Sequence, residues 1–238
     1  MGPTRKLKLS DYAATTFDVY GTIIDWEPEI ATFLRGWVES QGLKKTDAEL
    51  LSIYDSLRQP IQSERPAHRY PEVLRRTLDA MAAELNCSLS SGVRERFGAI
   101  AGTHSPFPDS RDALLELRRR GLKLGALSNI DEASFARMLQ TLGVSFDVVV
   151  TAERVGAYKP DKPHFMAALS DLLAMRIPPE KVLHVAQSRR ADIVPANELG
   201  LTCVWVNRQG HIFGRHGDGA EDSHADFEVS SLAELLEA

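Results

Sequence analysis

The chain has 238 residues and a net charge of -5, from 33 Asp and Glu against 28 Lys and Arg, which excludes an overall basic field for nucleic acid. That length can bury a proper core, in one domain or in one domain with an insertion. The two cysteines, Cys87 and Cys203, are too few for a disulfide framework and wrongly spaced for zinc, which fits a cytoplasmic protein. No apolar run approaches the roughly 20 residues of a membrane helix, and the amino terminus lacks an apolar signal core, so no membrane partner is expected.

Tyr12 to Phe17 reads as a buried strand that ends on a lone carboxylate, Asp18, and Gly21 lets the chain turn just beyond it. Open α/β sheets gather their ligands at the carboxyl ends of strands, so Asp18 is the first candidate for chemistry. From Glu27 the pattern becomes helical: Ile30, Phe33, Leu34 and Trp37, then Leu50, Leu51, Tyr54 and Leu57, then Val73, Leu74, Leu78 and Met81 after Pro71. No strand-like alternation intervenes before Pro106, so this stretch reads as an all-helical insertion between the first and second strands. Within it, Arg58 is either a solvated helix arginine or a cation that faces an anionic ligand. Trp26, Trp37 and Tyr54 either pack the interior or wall a pocket.

Pro108-Asp109-Ser110 opens a further helix, which Gly121 stops, and Arg118, Arg119 and Arg120 suit its carboxyl-terminal dipole better than a phosphate. Leu122 to Leu127 reads as a strand ending on Ser128-Asn129, which either cap the helix from Glu132 or hydrogen-bond a ligand. A strand over Phe146 to Val150 leads to a loop bearing Lys159-Pro160. Val182 to Ala186 is the next strand, followed by Gln187, Ser188 and Asp192, the last either a first-turn helix carboxylate or a catalytic one. Leu201 to Val206 is the last strong strand, before Asn207-Arg208. His211, His216 and His224 lack fixed metal spacing, so Gly210 to Ala225 reads as a mobile surface loop, and Phe227 to Leu236 as a closing strand and helix.

The run Phe17-Asp18-Val19-Tyr20-Gly21-Thr22-Ile23 resembles the first motif of the haloacid dehalogenase superfamily, Leu127-Ser128-Asn129 the second, Lys159-Pro160 the third and Gln187 to Asp192 the fourth. The resemblance implies an α/β fold: a Rossmann-like parallel-sheet core, residues 1–26 and 107–238, with an inserted all-helical cap domain, residues 27–106. It also implies that Asp18 is a covalent nucleophile. The superfamily's phosphatases carry a second aspartate two residues on, a general acid for the leaving oxygen; Tyr20 stands there, and a departing halide needs no proton. Phosphatases also have an aspartate where Gln187 stands, which binds magnesium, whereas a glutamine is a poor ligand for a hard cation.

Together these point to the L-2-haloacid dehalogenase branch, with no metal and no cofactor. The implied reaction is hydrolysis of short (S)-2-haloacids to 2-hydroxyacids through an aspartyl ester. In it Asp18, Lys159, Asp192, Thr22 and Ser188 are catalytic, while Tyr20, Arg58, Gln59, Ser128 and Asn129 bind the halogenated carboxylic acid. Two departures stand out: Phe165 replaces a tyrosine six residues after the lysine, and the interval from Gln187 to Asp192 is one residue longer than in the best-known dehalogenases. A magnesium-dependent phosphatase and a non-catalytic small-acid binder are the alternative expectations. A homodimer is compatible with the resemblance, and the sequence leaves the number of copies open.

Overall fold

Strand β1 (Ala14–Asp18) is buried along its whole length, and parallel strands flank it on both sides. The computed structural model describes residues 6–208 and 223–237; most of the expected loop over Gly210 to Ala225, with His211 and His216, lies outside them. After β1 come β2 (Ile24–Asp25), α1 (Glu27–Glu39), α2 (Asp47–Ser63), α3 (Tyr70–Glu84), α4 (Ser91–Ala99) and β3 (Ser105–Pro106). The chain continues through α5 (Ser110–Arg119), β4 (Lys123–Ser128), α6 (Glu132–Leu142), β5 (Val148–Thr151), α7 (Ala152–Val155), α8 (Pro163–Ala174) and β6 (Val182–Ala186). It closes with α9 (Val194–Glu198), β7 (Thr202–Val206), β8 (Phe227–Val229) and α10 (Leu232–Leu235).

The main sheet has six parallel strands in the order β5-β4-β1-β6-β7-β8. The chain first winds outward from β1 to β5, then crosses back to β6 and winds the other way. The carboxyl end of β1 is therefore the topological switch point where such sheets bind ligands. Successive strand residues point to opposite faces. In β4, Leu124 and Ala126 join the apolar cluster that runs on into the inserted helices, while Leu127 joins the cluster under α8.

The insertion is all-helical and is entered and left through the antiparallel β2–β3 pair, with Ile24 opposite Pro106 and Asp25 opposite Ser105. Local signals explain its helices. Thr46 and Glu49 form a capping box at the start of α2, and Pro28 and Pro71 sit in the first turns of α1 and α3, where a missing N–H is harmless. Sequence periodicity predicts three helices here; the structure adds α4, whose nine residues bury only Phe97 and Gly98 and so carry too little apolar pattern to be seen. The insertion grips the core beside Lys159. Tyr158 Oη donates to His68 O at 2.8 Å, Arg65 pairs with Asp161, and Arg69 with Glu153 at 2.6 Å.

Candidate active site

Asp18 lies at the end of β1, and both its oxygens are bonded. Lys159 Nζ donates to Oδ1 at 2.8 Å and Thr22 Oγ1 to Oδ2 at 2.7 Å. Thr22 is itself held firmly: its hydroxyl accepts from Gln187 N at 2.8 Å, which leaves its proton for Asp18. Arg208 fixes its carbonyl, donating from Nε and Nη2 at 3.0 and 2.7 Å while Nη1 reaches Asp109. Gly21 makes the turn at φ 95°, a backbone angle that requires glycine, and a Cβ there would push against Gln187 Oε1 at 2.7 Å.

Lys159 uses all its donors within the site, to Asp18 Oδ1, to Asp192 Oδ1 at 2.6 Å and to Leu127 O at 2.8 Å. Its side chain is 1 % exposed and that of Asp192 fully buried. Asp192 reaches it from a wide π-helical turn, Arg189–Ile193, in which Ile193 N–H bonds Ser188 O at 3.3 Å. Such a turn takes up one extra residue, so the longer interval from Gln187 still delivers the carboxylate to the lysine. Ser188 caps this turn, its Oγ accepting from Ala191 N at 3.0 Å.

Two carboxylates and one ammonium leave the buried cluster with one net negative charge. Burial pushes the Asp18 carboxyl above its ordinary value against the pull of Lys159, and the nearby Asp192 adds to the rise. Burial would raise Asp192 as well, but Lys159 and His184 hold it below the usual range. Burial opposes the charge on Lys159, and the two carboxylates more than offset it.

At the end of β4, Ser128 Oγ is buried with no hydrogen-bond partner among the described residues, while Ser128 O faces His164 Nε2 at 3.2 Å. Asn129 is placed differently from a ligand-facing amide. Its Oδ1 accepts from Lys159 N at 2.7 Å and its Nδ2 donates to Lys159 O at 3.1 Å, so both ends hold the lysine's peptide.

Of the remaining expected residues, Arg58 and Gln59 lie on α2 of the cap and Tyr20 on the turn after β1. Asp55 binds both Arg58 Nη2 and Gln59 Nε2, the latter at 2.7 Å. The Arg58 guanidinium lies 5.8 Å from the Trp26 ring centre and 5.6 Å from that of Tyr54, and its Nε is buried without a partner among the described residues. Tyr20 packs edge-on against Tyr70, with centroids 5.7 Å apart, and its Oη accepts from Gly102 N at 3.0 Å. Burial pushes its phenol well above the ordinary value.

Asp18, Thr22, Lys159 and Asp192 thus share one bonded network. Sequence reasoning misses Thr16, Asp55, Tyr158, His164 and His184. The available signal is polarity inside runs that are otherwise buried and apolar, as for His184 within Val182–Ala186. The donor set does not suit a divalent cation. The two carboxylates that converge are already bridged by an ammonium, position 187 offers a neutral amide, and among the described residues no three His, Cys, Asp or Glu side chains gather. No described helix is long and apolar enough to cross a membrane.

A family model for haloacid dehalogenase-like hydrolases matches residues 12–216. The chain is 27% identical over 228 residues to an (S)-2-haloacid dehalogenase of Pseudomonas sp. (strain YL), covering 93% of this chain and 91% of that protein. It is 31% identical over 134 residues to a glyceraldehyde 3-phosphate phosphatase of Methanocaldococcus jannaschii, a match covering 56% of this chain and about half, 55%, of that protein. The solved L-2-haloacid dehalogenase of Xanthobacter autotrophicus superposes with a TM-score of 0.76 at 20% identity, covering 95% of this chain and 97% of that one.

Proposed function

Since the chain belongs to the haloacid dehalogenase-like hydrolases, we propose that it removes halide from short (S)-2-haloacids without a metal, through an ester on Asp18. The observation that carries this reading is Tyr20. Two residues beyond the nucleophile stands a phenol whose oxygen already accepts from Gly102 N and whose proton is held tightly, a poor general acid for an alkoxide but no obstacle to a halide.

In the first step an Asp18 oxygen bonds to C2 of the acid, the carbon–halogen pair leaves with the halide, and the centre inverts. Substrate and nucleophile are both anions; at about 4 Å and an effective dielectric near 20 they repel by roughly 4 kcal/mol. Lys159 on the nucleophile and Arg58 on the cap offset that repulsion. Ser128 Oγ, buried and without a partner among the described residues, supplies a donor for the substrate carboxylate.

In the second step water attacks Cγ of Asp18. Its proton passes to Asp192, whose Oδ2 is buried and carries no hydrogen bond among the described residues. The bond from Cγ to the substrate oxygen breaks, the departing oxygen takes the proton back from Asp192 to leave as a 2-hydroxyacid, and the restored Asp18 carboxyl gives up its remaining proton, the one proton released overall. Lys159 stabilises charge on the carboxyl oxygen throughout.

The phosphatase relative favours a second reading, phosphomonoester hydrolysis with magnesium. Turnover of 2-chloropropionate enantiomers and of phosphate esters, with and without chelator, separates the two. Halide release from the S enantiomer in chelator is expected; magnesium-dependent phosphate release without halide release contradicts the proposal.

A further inference from the structure

Next to Asp192 lies a second buried polar pair that the two steps above leave unused. Thr16 of β1 and His184 of β6 stand opposite each other in the parallel register. Thr16 Oγ1 is 3.0 Å from His184 Nδ1, and His184 Nε2 is 3.3 Å from Asp192 Oδ1. His184 is fully buried and Thr16 2 % exposed, and the imidazole packs edge-on against Phe165 with ring centres 5.0 Å apart. An ionised carboxylate only accepts, so Nε2 carries a proton, and in a neutral imidazole Nδ1 is then the acceptor for the Thr16 hydroxyl.

Both donors to Asp192, the ammonium of Lys159 and the imidazole of His184, fall on Oδ1. Oδ2 is the oxygen left over. We propose that Thr16 and His184 form a positioning relay that locks the Asp192 carboxylate by its Oδ1, so that Oδ2 is the oxygen presented to the hydrolytic water. The proposal rests on the hydrolase reading above and assigns the pair to its second step. His184 is fully buried and acts through Asp192, as an outer partner of a metal ligand acts through the ligand.

The relay predicts a step-specific defect. In His184→Phe mixed with (S)-2-chloropropionate, one halide per enzyme is released at near the normal rate, and the Asp18 ester is then hydrolysed about 10–100-fold more slowly, the range typical of outer-partner loss. The ester therefore accumulates and is read by intact-protein mass. His184→Gln, whose amide donates in the same direction, restores hydrolysis. Equal slowing of both steps, or unchanged hydrolysis in His184→Phe, overturns the relay. Ring-nitrogen NMR of the resting wild-type protein gives a readout independent of the reaction: a proton on Nε2 with bare Nδ1 is expected, and a proton on Nδ1 alone overturns the relay. Absence of halide release by the wild type sinks the hydrolase reading, and with it the second-step role, whereas the NMR result decides the bonded geometry by itself.

Discussion

Asn129 and Lys159 are joined by two hydrogen bonds through the lysine's own main chain, one to its N–H at 2.7 Å and one from its C=O at 3.1 Å. The end of β4 thereby fixes the loop that carries the ammonium, across the cis peptide between Lys159 and Pro160. Asn129→Ala leaves both main-chain groups without that partner, a loss of about 1–3 kcal/mol for a buried group. Because the lysine then wanders, kcat falls further than KM rises. Urea unfolding and steady-state kinetics check both.

Removing Lys159 strands two buried carboxylates. Lys159→Met is expected to abolish turnover and to destabilise the fold by about 3–5 kcal/mol, the range for breaking a buried pair from one side. Adding Asp192→Asn to that variant recovers part of the stability and none of the activity. A melting temperature unmoved by Lys159→Met contradicts the ion-pair geometry.

Arg58 lies over both Trp26 and Tyr54, whose own ring centres are 5.9 Å apart, and is anchored by Asp55, with its buried Nε unpartnered among the described residues and so open to an anion. Arg58→Gln raises KM for haloacids by about 10-fold or more, the scale of one charge-assisted hydrogen bond. Arg58→Lys does not restore it, since an ammonium lacks the planar fork that lies over these rings and binds a carboxylate at two points. Initial rates against substrate concentration read this directly.

His164 gives stability a pH dependence with a definite sign. Burial, with the Lys159 ammonium nearby, pushes its imidazole down to about 3. The unfolded chain takes up that proton below about 6.5 and the folded chain does not, so stability is intact above that pH and is lost as pH falls toward 3. At pH 5 the loss is about 2 kcal/mol. Denaturant unfolding of wild type and His164→Phe between pH 5 and 8 should show the variant flatter by that amount.

Asp18, Thr22, Lys159 and Asp192 are legible in the sequence because each follows a buried strand or a proline-marked loop, and parallel sheets bring such ends together. The strands themselves are legible as apolar runs. Other partnerships are hidden. Asn129 reads as a cap or ligand contact, yet its partner is a peptide group 30 residues on, set by how β4 and the Lys159 loop meet. Ser188 reads as a hydroxyl that orients the reacting groups, and its cap on a π turn is a distortion that helical periodicity does not announce. His184 in an apolar strand gives notice that a partner is needed, but only the β1–β6 register names Thr16 and only the turn after β6 brings Asp192.

The central claim is that the oxygen which displaces halide belongs to Asp18 and is replaced from water in each cycle. One turnover of (S)-2-chloropropionate in ¹⁸O-water, with enzyme in excess, followed by peptide mass analysis, tests it. The account predicts label in the Asp18 carboxylate and unlabelled 2-hydroxyacid; label found in the product with none in the protein would mean that water attacks the carbon directly, and would contradict it.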